Sequence, residues 1–559
     1  MDFIRNNKYI ILILFLAFVL LFFNLGKPDM EGDQSAYAFR SIGYMDYLGS
    51  DKQTTPLQWF DEIPWWSKLS FHDHPPLVFI FQHFSIKIFG VSAFSARLPS
   101  ALAGFLTIFF IYLIGRELYS KQVGLWSALV LTVSNYLIWI SRTALLEAVA
   151  IFFIVLSIYF FIKAWSKTKY LFLWAVALGL AFLSKYTTFY LIPVYFIFIL
   201  FKKRPWLKEK NFWLSLILII LIFSPVIFYN LTMFYERGHF DVQFSALFGQ
   251  SKNDWPLVQT AADFNFKGIF KDIFNVLSTV YSPISLLLFI LAFSFFVYQK
   301  ENRHKFFIIS LFVLSLIGAA FLGANNRYLS VISVHWALIA GFFLSALLKL
   351  FHRRKALNFI FIFILALFLS VDLLYTINTN ILPISFSKKF ELAVRPAWIG
   401  YNQLDGYFQD KFSNQCSSRA WIRGPVEINI IKKFSKGKCQ INDQSLIVYD
   451  DKMDWFETLW VFDKLRIYNN LPVFHAGALA QTIQGGEEVL SNVSNFREFY
   501  FISLENLESK DKYASGDFDF FKKQILEQKP DLEPDIINAP DGSISFKIYK
   551  ITDNKLEFY

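Results

Sequence analysis

Eleven apolar runs follow one another between residues 9 and 375, at 9–25, 98–114, 123–140, 144–162, 170–184, 187–201, 212–229, 280–298, 306–322, 328–350 and 357–375. Crossing roughly 30 Å of hydrocarbon takes about 20 apolar residues in a helix, so this succession predicts a polytopic α-helical membrane domain. The composition agrees, with 55% of 559 residues hydrophobic and 18% charged. A formal charge of +10 would point to nucleic acid in a soluble protein. Here basic residues beside membrane spans account for it, and no nucleic-acid partner is expected. The 68 phenylalanines lie mostly inside the apolar runs and carry no functional signal.

Arg5 and Lys8 precede the first run, which places the N-terminus in the cytoplasm. Gly26-Lys27-Pro28-Asp29 offers no small-x-small cleavage site, so the run is read as a retained helix. If every run crosses, Arg116 and Lys121 and the basic clusters at 163–169, 202–210, 300–305 and 349–355 all fall on the cytoplasmic side. The opposite links carry few cations, notably Arg142, Lys185 and Arg327, and orientation does not explain these.

The segment 77–89 is too short to cross and is interrupted by Gln82, His83 and Lys87, so it is expected to lie at the interface. With Trp59, Trp65 and Trp66 before it, the outer loop 27–95 is predicted to form juxtamembrane helices. A second outer loop, 230–274, contains Arg237, His239, Asp241 and Trp255 and is long enough to be either a lid or a passive link. The transmembrane domain is thus expected over 1–376. From residue 377 to 559 polar residues dominate, and 445–449, 499–504 and 543–549 read as strands, which predicts a soluble mixed α/β domain outside the membrane. Its Cys416 and Cys439 are the only cysteines; they could pair in an oxidising compartment or be unrelated thiols.

Four groups of residues could do chemistry. In Pro28-Asp29-Met30-Glu31-Gly32-Asp33-Gln34-Ser35, carboxylates follow the first span beside a flexible glycine, and Asp33 suits a helix cap as well as a catalytic acid. In Ser141-Arg142-Thr143-Ala144-Leu145-Leu146-Glu147, an acid stands at a span end, where it needs a task or a partner, and Arg142 could be that partner. In Phe71-His72-Asp73-His74-Pro75-Pro76, two imidazoles and a carboxylate precede a rigid diproline. His72 and His74, with a distant His239, could ligate a divalent metal, but the spacing signals metal only weakly, and a wall of the substrate pocket is the preferred reading. Lys185, and Arg327 with Tyr328, stand at outer span ends, where they could snorkel to lipid phosphate or hold a bound one.

The ordered set Glu31-Gly32-Asp33-Gln34, His74-Pro75-Pro76-Leu77, Ser95-Ala96-Arg97-Leu98-Pro99-Ser100, Gly115-Arg116-Glu117-Leu118, Ser141-Arg142 through Glu147 and Gly179 through Lys185 resembles the membrane glycosyltransferases that use polyprenyl-phosphate sugars. These are the dolichyl-phosphate-mannose protein mannosyltransferases and the lipid A aminoarabinose transferases. The resemblance spans 29–203 and, more weakly, the stretch to 350. It implies a GT-C type fold, with Asp33 as the first-loop catalytic acid, Glu147 as the second-loop carboxylate, and Lys185, Arg327 and Tyr328 near the donor phosphate. Glu31, His72, His74 and Arg142 would complete the pocket. Gln34 stands where many relatives have an acid, and Glu147 where many have aspartate.

The activity so implied is inverting transfer of a sugar from a polyprenyl phosphate, undecaprenyl phosphate in bacteria, to an extracytoplasmic lipid, glycan or protein. Lipid A or another envelope glycan is preferred, and a protein O-mannosyltransferase is the alternative. The site and the C-terminal domain would face the periplasm of a Gram-negative cell. No cofactor is firmly implied, and a divalent metal is kept as the alternative. A transporter or flippase for lipid-linked sugars would instead place ionisable groups near mid-membrane and show paired broken helices.

Overall fold

Each of the eleven apolar runs is largely helical, because an unpaired backbone amide in hydrocarbon costs several kcal/mol and a helix pairs its own. The computed structural model describes residues 2–48, 53–256, 266–300, 302, 304–321, 323–351, 355–418, 439–484, 496–505 and 516–552. Five described helices are long and apolar enough to cross a membrane: Ala93–Leu118, Glu147–Ala164, Lys210–Arg237, Tyr328–Phe351 and Lys355–Asn380. A sixth span is available if Lys121–Val133 and Asn135–Ser141, bent by 63°, cross together. The remaining runs form shorter apolar helices, so the expected count of eleven crossings exceeds what helix length by itself supports.

The chain divides into two compact units. The first comprises Met1–Gly26, Tyr44–Pro56 and Ile63–Pro396, and the second Lys27–Gly43, Leu57–Glu62 and Ala397–Tyr559. The boundary expected at residue 377 falls inside the helix Lys355–Asn380, whose last turns are held by side-chain bonds. Part of the loop 27–95, assigned by sequence to the membrane domain, belongs to the second unit.

In the first unit, Ser92 and Ser95 form a reciprocal capping box at the start of Ala93–Leu118. That helix packs on Lys121–Val133 through Gly115 and Gly124, where a methyl on Gly124 would collide with the Tyr112 carbonyl. The bend at Ser134 frees the Val133 carbonyl, which accepts from Thr376 Oγ1 at 2.6 Å, and the Asn135 side chain just after the bend donates to the Val280 carbonyl at 2.9 Å. The short helix Leu77–Phe89 has the bounds expected from sequence. The loop expected over 230–274 is shorter than predicted. Lys210–Arg237 continues beyond residue 230, a helix covers Val242–Leu247, and another starts at Phe266; residues 257–265 lie outside the described residues.

The second unit carries β1 (Gln415–Cys416) beside β2 (Gln440–Ile441), joined by a disulfide between Cys416 and Cys439. A five-stranded sheet contains β3 (Ser445–Tyr449), β4 (Val473–His475), β5 (Glu498–Leu504), β6 (Asp535–Asn538) and β7 (Ile544–Ile551) in the order β4-β3-β5-β7-β6. β3 is parallel to β4 and β5, and its continuous apolar run suits a central strand covered on both faces. β7 runs antiparallel to β5 and β6.

The helix Trp455–Thr458 buries Glu457, whose carboxyl is pushed up to about 9 by burial and then by the neighbouring Asp454 and Glu31 carboxylates. The folded protein therefore holds this proton more tightly than the unfolded chain does, so the unit is most stable below the ordinary glutamate range of about 4.3 and loses stability as pH climbs toward the raised value. Thermal unfolding of the full chain in detergent should show Glu457→Gln more stable than the parent at pH 8, with the two converging near pH 5.

Candidate active site

Glu147 opens the helix Glu147–Ala164 and is 3% exposed. A carboxylate at a helix N-terminus meets the positive end of the helix dipole, but burial this deep also demands cationic partners. They arrive from two other breaks in helices. Lys185 ends Tyr170–Ser184 in extended backbone, and its carbonyl is fixed by both the amide and the hydroxyl of Thr188, at 3.1 and 2.7 Å. Arg327 precedes the 3-10 turn Tyr328–Val331, where the Asn325 side chain accepts from the amides of Arg327 and Tyr328 at 2.9 Å each.

Both cations converge on one carboxylate oxygen. Lys185 Nζ donates to Glu147 Oε1 at 2.5 Å and Arg327 Nε donates to the same atom at 2.6 Å. The Lys185 ammonium lies 4.7 Å from the centre of the Tyr328 ring, a cation–π contact. Glu147, Lys185, Thr187, Tyr190, Arg327 and Tyr328 line a single cavity, so groups 38 and 180 residues from Glu147 share one wall. Two cations against one carboxylate leave the trio with a net positive charge, and a buried, net-positive cleft is suited to a phosphate.

Arg142, offered by sequence as the partner of Glu147, does other work. Its guanidinium donates through Nη1 to the carbonyls of Leu20, Leu21 and Phe23 at 2.8, 3.2 and 2.9 Å, closing the end of the first helix. Arg97 adds a bond to the Leu25 carbonyl at 3.1 Å. Gln82 Nε2 and Ser100 Oγ bind the carbonyls of Ala144 and Leu145 at 2.7 and 3.2 Å, just before Glu147. Several motif residues thus lock the loop that presents the acid.

The three candidate histidines divide between two hydrogen-bonded groups, with His72 and His239 both against Trp255. His72 is fully buried; its amide donates to Asp46 Oδ2 at 2.7 Å and its Nδ1 lies 2.8 Å from Asp46 Oδ1. His74 pairs with Asp73 at 3.0 Å. Ligand atoms of Asp46, His72 and Asp73 lie within 4.8 Å of one another, a mixed carboxylate and imidazole set that suits a divalent cation. The direct Asp46–His72 bond would have to open for such an ion to sit there. His239 is not in this cluster: its Nε2 meets Asp254 Oδ2 at 2.7 Å and its Nδ1 lies 2.8 Å from the Phe240 carbonyl. Burial opposes ionisation of Asp254, but Arg237 and His239 hold its carboxyl below the usual range.

Asp33 and Glu31 belong to the second unit. Asp33 begins the helix Asp33–Gly43, is half-buried, and lies 3.4 Å from the Tyr37 hydroxyl. Gly32 before it takes a left-handed φ of 53°, which a residue with a side chain seldom adopts. Glu31 Oε1 accepts from the Ala397 amide at 3.1 Å. Sequence reasoning missed Asp46, Asp254 and the buried Asp372, which accepts from Ser282 and Ser285 at 2.5 and 2.7 Å. An isolated aspartate in a loop or apolar helix gives no signal until its partners are in place; Asp372 alone was detectable as an acid within an apolar run.

Part of the chain is similar to known proteins. Residues 73–229 match the family model described as dolichyl-phosphate-mannose-protein mannosyltransferase. A Bacillus subtilis (strain 168) protein named as a proposed mannosyltransferase, YkcB, is 29% identical over 141 residues, covering 25% of this chain and 20% of its own length. An uncharacterised protein of Aquifex aeolicus (strain VF5) is 29% identical over 297 residues, covering 51% of this chain and 67% of its own length. The crystal structure of the Archaeoglobus fulgidus oligosaccharyltransferase, in complex with zinc and sulfate, superposes with a TM-score of 0.51 at 13% identity, covering 96% of this chain and 72% of that one. At that identity the likeness is one of fold. The apolar helices describe an integral membrane protein whose fold is like that of the archaeal enzyme, and the chain spans a fifth of the length of the Bacillus relative it matches.

Removing the carboxylate from the trio leaves the buried Lys185 and the partly exposed Arg327 facing each other; breaking a fully buried pair costs on the order of 3–5 kcal/mol, and the exposure of Arg327 lowers that here. Glu147→Gln should lower the melting temperature in detergent. Added undecaprenyl phosphate should raise it more in the variant than in the parent, because the lipid phosphate restores the missing negative charge.

Proposed function

We propose that the protein is an inverting glycosyltransferase that moves a sugar from a polyprenyl-phosphate carrier, undecaprenyl phosphate in a bacterium, to an acceptor outside the cytoplasm. The observation that carries this reading is the convergence of Lys185 and Arg327 on Glu147 in one cavity wall. A sugar joined to a phosphodiester already has a good leaving group, so the enzyme has two tasks: to activate the acceptor and to receive the charge released on the phosphate.

In this reading the acceptor hydroxyl oxygen attacks the anomeric carbon as the bond from that carbon to the phosphate oxygen breaks. The acceptor proton passes to Asp33, whose role rests on its place in the Glu31-Gly32-Asp33-Gln34 motif. The departing lipid phosphate gains a second negative charge, which Lys185 and Arg327 stabilise. Glu147 holds those two cations in register before the donor arrives. Attack opposite the leaving group inverts the configuration. Asp46, His72 and Asp73 are the residues that would hold a divalent ion.

The preferred acceptor is lipid A or another envelope glycan. A protein acceptor is the second reading, favoured by the description of the matched family. Mass spectrometry of envelope lipids and glycoproteins from a deletion strain separates the two.

The catalytic assignment is tested with undecaprenyl-phosphoryl mannose and extracted envelope acceptors. Asp33→Asn should reduce transfer by about 10²-fold or more while the protein still inserts and binds undecaprenyl phosphate; near-normal turnover would remove Asp33 from the mechanism. Lys185→Ala should chiefly weaken use of the donor, and an effect confined to the acceptor would count against its role at the phosphate.

A further inference from the structure

The helix that begins with Asp33 is fastened at both ends by residues from the C-terminal part of the second unit. At its entry, Asp29 is 1% exposed, and its carboxylate accepts three backbone amides: Ile399 at 2.5 Å and Gly400 at 2.9 Å through Oδ2, and Asn402 at 2.8 Å through Oδ1. These amides surround the start of the helix Tyr401–Phe412, so Asp29 caps a helix more than 370 residues away in sequence. The Asp29 amide donates to the Ala397 carbonyl at 2.9 Å, and Asn402 Nδ2 to the Pro28 carbonyl at 2.5 Å. Glu31 receives the Ala397 amide, so the backbone is gripped on both sides of Met30, itself fully buried.

At the exit of the same helix, the Tyr468 hydroxyl donates to the Phe39 carbonyl at 2.8 Å and accepts from the Gly43 amide at 3.1 Å. One phenol thereby satisfies a carbonyl and an amide of the final turn, and its ring packs 5.4 Å from that of Phe39. Between the two clamps, residues Gln34 to Ser41 are buried without interruption. A helix buried along its length and bonded at both ends has little freedom to shift or rotate.

We propose that Asp29 and Tyr468 are positioning residues for the reaction, and that the C-terminal part of this unit serves to hold the Asp33 carboxylate where the acceptor proton leaves. The proposal rests on Asp33 being the base. It explains why a catalytic loop of a membrane enzyme would be built into a folding unit with a sheet-containing domain: general-base catalysis depends on sub-ångström placement, and a loop following a membrane helix would otherwise move freely.

The test compares Asp29→Ala, Asp29→Asn, Tyr468→Phe and Asp33→Asn in the full-length protein. It measures kcat and KM with undecaprenyl-phosphoryl mannose, the pH profile of kcat, melting temperature, and undecaprenyl phosphate binding. Asp29→Ala and Tyr468→Phe should each lower kcat by roughly tenfold or more and shift the acid limb of its pH profile, with donor KM and lipid-phosphate binding within about twofold of the parent. Asp29→Asn, which keeps one carbonyl acceptor, should recover part of the loss. Unchanged kcat in Asp29→Ala and Tyr468→Phe, beside an inactive Asp33→Asn, overturns the positioning role alone. Equal losses of kcat and lipid-phosphate binding overturn it too, in favour of general structural support. An active Asp33→Asn instead overturns the base assignment beneath it. If Asp29→Ala fails to fold, Tyr468→Phe, which removes a single hydroxyl, decides.

Discussion

Everything proposed for the first unit depends on one oxygen atom. Glu147 Oε1 receives both Lys185 and Arg327, and each cation comes from a place where a helix has been broken. A buried carboxylate, lysine and arginine would each be costly alone. Together they neutralise most of that cost and leave a surplus of positive charge facing a cavity. The breaks are part of the same solution: an unbroken helix would point its last carbonyls, not its side chains, at this place. Thr188, which donates to the Lys185 carbonyl, and Asn325, which accepts from the Arg327 and Tyr328 amides, make it tolerable for the backbone to stop there.

Around that oxygen, several residues of the motif set hold the backbone in place. Arg142 and Arg97 stop the first helix, Gln82 and Ser100 hold the loop before Glu147, and Glu117 meets Lys163 at 3.3 Å on the exposed flank of neighbouring helices. An arginine five residues from an acid need not be its counter-ion. Here the arginine is consumed by carbonyls that water cannot reach.

Much of the helical layout was legible from sequence, because apolar length reports directly on burial in lipid. The helix Leu77–Phe89 and strands β3, β5 and β7 were foreshadowed by run length and alternation. The bend between Val133 and Asn135 was not, since the apolar run passes straight through it and the side chain that meets the freed Val133 carbonyl, Thr376, lies 243 residues away. The individual candidates Glu147, Lys185, Arg327 and Tyr328 were named from their positions at helix ends, but their mutual arrangement was not. Ion pairs spanning 38 and 180 residues leave no local pattern, and the nearer Arg142 was the only partner that spacing could propose. The division into units was likewise obscured, because the bonds that draw residues 27–43 into the second unit begin at Asp29 and end beyond Ala397.

The helix Lys355–Asn380 has the apolar length of an anchor, and its most apolar stretch is only 11% buried. Its final turns tell a different story: Asp372, Thr376, Asn378, Thr379 and Asn380 are all buried, and among them they bind Ser282, Ser285, the Val133 carbonyl and Asn135. A segment that hydropathy would class as interchangeable is therefore a keyed component at one end and generic at the other. Grafting a foreign tail anchor in its place would satisfy the lipid while leaving the kinked neighbour's opened peptide groups stranded in oil.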